Sequence, residues 1–290
     1  MDRVTAKLLD GEKVAARIRA EVADRTAALA AEGVHVGLGT ILVGDDAPSM
    51  RYVALKHEDS AALGIYSAGE HLPADATQQD VLEAIARFND DPKVSAFLVQ
   101  LPLPDGLDEE QALLAVDPEK DVDGLHPVNL GRLVLGTPGP LPCTPAGIVE
   151  LLHAYDVAVE GRHVVIIGRG VTIGRPLANL LTLKRPGLNA AVTVVHTGVD
   201  ASEMAALTRT ADIVVAAAGR PYLLTPDMVK PGAAVVSAGT TFEGKKLVPD
   251  AHPDVAEVAG WITPRVGGVG PMTRAMLLRN ALRAAERAAR

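Results

Sequence analysis

The chain has a single cysteine, Cys143, so no disulfide can close within it. No apolar run reaches the ~18 residues that a membrane-spanning helix needs. The opening residues, MDRVTAKLLDG, contain no apolar stretch of signal-peptide type, so no secretory leader is expected. Eight histidines are present, yet none stands in an HExxH pattern or a Cys/His cluster, and no metal site is expected. Positive charge is in deficit: 28 Lys and Arg against 36 Asp and Glu leave a net charge of −8, which argues against nucleic acid as the partner. There is no internal repeat.

What is present is a 290-residue chain, 48% hydrophobic and 22% charged, long enough for two domains with their own cores. The most informative stretch is 163–176, HVVIIGRGVTIGRP. Four apolar residues run into Gly168, Arg169 and Gly170; Gly174 follows, and Pro176 opens a helical stretch. Strand, glycine turn and helix in that order leave free backbone N–H groups where a phosphate can sit. The spacing is G-x-G-x-x-x-G, one residue longer than the usual dinucleotide fingerprint, and the glycines alone fit a plain tight turn equally well.

Ahead of this turn, Val14, Ile18, Val22 and Leu29 predict an amphipathic helix over 11–31. Residues 37–43 read as a buried strand and 44–48 as a turn, with Ser49 as N-cap of a helix to residue 63. A strand over 65–71, a helix over 81–89 capped by Thr77 with Asp80, a strand over 95–100 and a helix over 109–116 follow. The alternation predicts parallel βα units. Residues 117–124 are acidic and turn-rich, 138–145 are rich in proline and glycine, and Thr144-Pro145 starts the next helix. One domain is therefore expected over 1–143 plus 273–290, the other over 144–272. Further strands are expected at 191–195, 212–217 and 233–237, and a final helix over 272–290 whose Met276, Leu277 and Leu278 return to the first domain.

Several residues carry usable chemistry. Tyr52 and Lys56 stand at i, i+4 and share a helix face, whether as a surface pair or as a site. Gln100 ends a parallel strand, the edge where open α/β sheets bind ligands, although an amide there also suits the tying-down of the loop that follows. Asp121 and Asp123 share a loop and fit either Asx turns or ligand binding. Cys143 lacks a paired base and reads as packing. The glycine run 267–271 suits a linker or a close backbone approach to a ligand.

Taken in order, 52–56 (YVALK), 98–104 (LVQLPLP), 120–124 (KDVDG) with His126, Pro127 and Asn129, 142–145 (PCTP), Gly168-Arg169 with 174–176 (GRP), and 267–273 (GGVGPMT) resemble one family. It is the bifunctional methylenetetrahydrofolate dehydrogenase/methenyltetrahydrofolate cyclohydrolase family of the FolD type, and the resemblance spans nearly the whole chain. It implies an α/β fold of two domains with a cleft between them, an N-terminal αβα catalytic domain and a Rossmann-like parallel-sheet domain for NADP. It further implies a cytoplasmic homodimer. Oxidation of 5,10-methylenetetrahydrofolate to the methenyl cation, then hydrolysis to 10-formyltetrahydrofolate, is the implied activity. Lys56 is then the catalytic base, Tyr52 stacks on the folate, Gln100 bonds Lys56 and Asp123 binds the pterin, with Gly268 and Pro271 also on the substrate. Gly168, Arg169, Gly170, Gly174, His196, Thr197, Gly239 and Thr240 are implied for the cofactor.

The chain departs from the family pattern at Gly170 (usually Ser), Gly198 (often basic or polar), Ser237 (usually Asp), Val266 (usually Pro), the inverted pair Ala47-Pro48 and Glu58 (usually basic). NADP is expected over NAD, because no acidic residue ends the strand 191–195, but by a narrowed margin. A non-catalytic folate- or nucleotide-binding protein and a monofunctional cyclohydrolase are the alternative readings.

Overall fold

A computed structural model describes residues 6–244 and 246–290. In chain order its elements are β1 (Lys7–Leu8), α1 (Gly11–Ala31), β2 (Gly37–Val43), α2 (Ala47–Ala62), β3 (Tyr66–Leu72), α3 (Gln78–Asp90), β4 (Ala96–Val99), α4 (Glu109–Ala115), α5 (Pro127–Leu135) and α6 (Cys143–Ala154). There follow β5 (His163–Ile167), α7 (Gly174–Leu181), β6 (Ala191–Val195), α8 (Ala201–Thr208), β7 (Ile213–Ala216), β8 (Ala234–Ser237), β9 (Thr240–Glu243), β10 (Lys246–Pro249), β11 (Trp261–Ile262) and α9 (Val269–Ala288). By its internal contacts the described chain falls into two units, residues 16–143 with 274–290, and residues 6–15 with 144–273.

The first unit is built on a three-stranded parallel sheet in the order β3-β2-β4. Every residue of β2 is buried, as expected of a central strand covered on both faces. Side chains alternate across a strand, and Ile41, Val43, Phe97 and Val99 point into one core with Val81, Ile85 and Phe88 of α3 and Ala112 of α4. Phe88 and Phe97 meet edge to face with centroids 5.5 Å apart. Gly39 lies on that same face, and a Cβ there would come to 2.8 Å from Phe97 Cβ and 2.9 Å from the Phe88 ring, so the aromatic pair needs glycine beneath it. On the opposite face Thr40 bonds the ring of His57 on α2 at 3.0 Å. The result is an αβα layer arrangement, with Thr77 and Asp80 forming the capping box of α3.

The second unit holds a six-stranded parallel sheet in the order β1-β11-β8-β7-β5-β6. Near-continuous apolar runs in β5, β7 and β8 are buried, as strands flanked by helices require. The chain starts at β5, steps to β6 on one side, then returns to β7 on the other. This places the topological switch point between β5 and β7, where open α/β sheets bind ligands.

Local differences from the sequence reading have identifiable causes. Asp46, not Ser49, caps α2: its carboxylate accepts the Ser49 N–H at 2.9 Å, and Pro48 sits in the first turn where no N–H is needed. No helix is expected between the turn-rich 117–124 and the proline- and glycine-rich 138–145, yet α5 forms there, opened by Pro127 and closed by Gly136 in the left-handed region. α6 begins at Cys143, and α9 at Val269, so Gly270 and Pro271 belong to its first turns rather than to a linker. Residues 6–15 group with the second unit, a placement that an expected first domain over 1–143 does not contain. A two-residue strand carries no periodicity of its own and exists because β11 offers it an edge. Among the described residues, no helix is long and apolar enough to cross a membrane.

Candidate active site

In the first unit, the C-terminal edge of the sheet and one face of α2 bring together three of the expected residues. Gln100 directly follows β4; its backbone N–H donates to Ile41 O at 2.8 Å, and its side-chain Nε2 donates to Leu101 O at 2.7 Å. That second bond orients the amide, so Oε1 faces α2 and accepts from Lys56 Nζ at 2.9 Å. Tyr52, one turn before Lys56, is 51% exposed and leaves its ring free to meet a ligand.

Removal of water around Lys56 lowers its pKa below the usual lysine value, against the pull of the nearby Asp123 charge. Its one hydrogen-bonded partner, Gln100, is uncharged and does not reverse that effect. Asp123 is shifted the other way: burial raises its pKa, Lys56 opposes the shift, and Asp121 adds to it. Burial also drives the Cys143 thiol well up, which disfavours the thiolate that a nucleophile needs. The group thus combines an amine biased toward its neutral, basic form with a carboxylate able to accept paired N–H donors.

The support of Asp123 reaches beyond what the sequence reading identifies. Asp121 is the organiser of its loop: Oδ1 accepts from Gly124 N–H at 3.0 Å, and Oδ2 accepts from His126 N–H at 2.8 Å and Asn129 Nδ2 at 2.9 Å. Gly124 has φ 72°, and a Cβ there would strike the Leu141 carbonyl carbon at 2.3 Å, so the loop packs on 141–142 only with glycine. Asn280 of α9 then donates from Nδ2 to both Val122 O and Leu141 O at 2.9 Å. An asparagine in the middle of a helix that is mostly apolar and basic was the available signal for that role. His57, beside Lys56, is held by Thr40 of β2 and Ser67 of β3, which fastens α2 to the sheet.

The second unit carries the glycine turn. Gly168 has φ 124°, and a Cβ on it would lie 2.2 Å from Ala217 O; one on Gly174 would lie 2.2 Å from Gly168 O. The turn is therefore pressed against the loop after β7 at the switch point, and both glycines are sterically required. α7 has Ile173 at its N-cap with no side-chain bond to the helix, which leaves its start without the usual side-chain acceptor. Gly170 is open: a Cβ there meets nothing within 4 Å.

At the end of β6, His196 Nδ1 accepts the Gly198 N–H at 3.1 Å. A neutral ring then carries its proton on Nε2, and Nε2 faces Arg169 Nη1 at 3.4 Å. An anionic oxygen lying against both nitrogens would accept a hydrogen bond from each. Gly198 lies close to the same ring: a Cβ there would approach His196 Cε1 to 3.1 Å, a tight contact that a small shift of the ring relieves. Thr197, next to His196, and Thr240, at the start of β9, are exposed, and Gly239 is buried against Asp250. Gly268 and Pro271 fall in this unit rather than with Lys56. Gly268 packs on Thr263 and Pro264, and its carbonyl lies where a Gly11 side chain would be. The donors and glycines suit a phosphorylated dinucleotide, and among the described residues no group of three or more His, Cys, Asp or Glu is placed to hold a metal.

A family model for the tetrahydrofolate dehydrogenase/cyclohydrolase catalytic domain matches residues 9–123, and one for the NAD(P)-binding domain of the same family matches 142–289. The bifunctional protein FolD of Syntrophotalea carbinolica is 58% identical over 287 residues, 99% of this chain and 98% of that protein. The FolD dehydrogenase/cyclohydrolase structure from Campylobacter jejuni superposes with a TM-score of 0.93 at 40% identity, covering 98% of this chain and 99% of that one. The Trypanosoma brucei FolD structure, complexed with NADP and an inhibitor, gives 0.92 at 39% identity, covering 99% of each chain.

Proposed function

Since the chain belongs to the tetrahydrofolate dehydrogenase/cyclohydrolase family, we propose that Tyr52 and Asp123 hold the folate for both of its reactions and that Lys56, with Gln100, serves the hydrolysis. The enzyme oxidises 5,10-methylenetetrahydrofolate to 5,10-methenyltetrahydrofolate with NADP and hydrolyses that product to 10-formyltetrahydrofolate. When bound, NADP supplies the hydride acceptor.

Loss of hydride leaves an amidinium-like cation on the folate, and water must then add to the bridging carbon and lose a proton. A base is needed in its neutral form. An ordinary lysine, with a pKa near ~10.4, is nearly all charged at pH 7. Burial of Lys56 works against that charge, and the substrate cation does so further. Gln100 fixes the amine in place without stabilising its charge. Asp123 accepts the two parallel N–H donors of a 2-amino-4-oxo pyrimidine edge, and the exposed ring of Tyr52 covers the flat pterin or its neighbouring ring. Arg169 and His196, with Thr197, take the 2′-phosphate; Gly168, Gly170 and Gly174 take the pyrophosphate; Gly239 and Thr240 lie on the nicotinamide side.

The observation that carries the reading is the 2.9 Å bond from Lys56 Nζ to Gln100 Oε1 in a setting that lowers the lysine's pKa. Its test is the cyclohydrolase pH profile. The rate should rise with pH through a pKa below the ordinary lysine value, and a profile that rises only at the ordinary lysine value overturns it. The same reading makes the protein a cytoplasmic homodimer. An apolar edge strand in the second unit supports the dimer: β6, AVTVV, has only β5 beside it and no charged residue to deter pairing. Sedimentation of the purified chain at twice its monomer mass is the expected result.

A further inference from the structure

Asp250 is absent from the residues assigned so far, yet it is the most completely engaged carboxylate in the second unit among the described residues. It follows β10 and is 0% exposed. Oδ2 accepts the N–H of Ala218 at 2.6 Å and of Gly219 at 3.0 Å, and Oδ1 accepts the N–H of Arg220 at 2.8 Å. Three consecutive backbone donors of the loop after β7 thus converge on one side chain. Its own N–H donates to Gly239 O at 3.2 Å, in the loop after β8. Gly239 is bare toward it: a Cβ there would stand 2.1 Å from Oδ2. The next residue, Ala251, donates its N–H to Ser237 Oγ at 3.2 Å, which gives a use to the serine that departs from the family pattern. Thr241 adds a bond from Oγ1 to Gly219 O at 2.8 Å.

We infer that Asp250 is a positioning residue of the dehydrogenase, holding the loops after β7 and β8 in the shape that receives the nicotinamide half of the cofactor. The placement follows from the topology. The glycine turn after β5 takes the pyrophosphate and the end of β6 takes the adenosine ribose, so the other half of a dinucleotide extends over β7 and β8. Both loops there are tied to this carboxylate. The burial cost of the charge, seen as a raised pKa, is offset by the same three N–H groups that it orders. The inference rests on the reading that NADP lies on this edge.

Asp250→Asn keeps the shape but exchanges one acceptor for a donor. Whichever way the amide turns, its NH2 group meets at least one backbone N–H with no acceptor between them. The expected result is a rise in KM for NADP or a fall in dehydrogenase kcat of roughly 10- to 100-fold, while hydrolysis of added methenyltetrahydrofolate keeps its kcat and KM. The cyclohydrolase needs no nucleotide and reports the fold of the first unit. Dehydrogenase constants within about twofold of wild type would overturn the inference. If Asp250→Asn loses both activities, Thr241→Val decides. A raised KM for NADP with intact hydrolysis supports the role, and an unchanged KM overturns it. A wild type without NADP-dependent oxidation would instead overturn the underlying reading of the cofactor site.

Discussion

Replacing Gln100 with glutamate isolates the electrostatic part of the site from its geometry. The side chain keeps its length, and Oε1 still stands 2.9 Å from Lys56 Nζ, but a full negative charge replaces a dipole. At that separation two unit charges attract by about 1.4 kcal/mol in a water-like medium and about 6 kcal/mol at an effective dielectric of ~20. At ~1.36 kcal/mol per pKa unit, the lysine rises by about one to four units. This opposes the burial that lowers it in the wild type. The sign for catalysis follows: the base works when neutral, so a higher pKa moves the rising limb of the pH–rate profile to higher pH. At neutral pH the neutral fraction, and with it cyclohydrolase kcat, should fall about tenfold or more. Loss of the Nε2 bond to Leu101 O adds some disorder to the loop, which changes KM but not the position of the limb. The assay is decay of methenyltetrahydrofolate absorbance between pH 6 and 10, corrected for spontaneous hydrolysis. A Gln100→Glu profile that superposes on the wild type would refute the argument that a neutral Lys56 is the base.

Two further substitutions probe the other ends of the site. Asp123→Ala should weaken folate binding by about 2–3 kcal/mol, roughly 30- to 150-fold, because pterin donors lose a charge-assisted partner, while NADP binding measured by calorimetry stays as in the wild type. Arg169→Ala should erase most of the preference for NADP over NAD in kcat/KM and leave NAD use nearly unchanged, since one of the two donors at the His196 gap is lost; a variant that still prefers NADP would take Arg169 out of that role.

Much of this was legible in the chain because the strongest signals are local. The run VVII into Gly168, the Thr77–Asp80 box and the pairing of Tyr52 with Lys56 each depend on neighbours in sequence, and each is present in the fold. Gln100 was identifiable from its place at the end of a strand. The residues that escaped are held by distant partners. Asp250 draws its meaning from N–H groups about thirty positions away, Asn280 from carbonyls more than 130 positions away, and β1 from β11 at the far end of the chain. The helix α5 was hidden by proline and glycine, which here mark its two ends rather than its absence. Gly198 illustrates the limit of pattern matching: read against the family it is a lost polar group, whereas in the structure its backbone N–H is the donor that orients the His196 ring.

The central claim is that Lys56 serves as the base of the second reaction, downstream of hydride loss. Lys56→Gln tests it most directly, because the amide can still bond Gln100 but cannot take up a proton. The variant, given methylenetetrahydrofolate and NADP, is followed at separate wavelengths for reduced nucleotide and methenyl product. The account predicts that both rise together, one for one, with methenyltetrahydrofolate accumulating and decaying only at its spontaneous rate, whereas the wild type carries it on to 10-formyltetrahydrofolate. A variant that clears the methenyl product as fast as the wild type would contradict it.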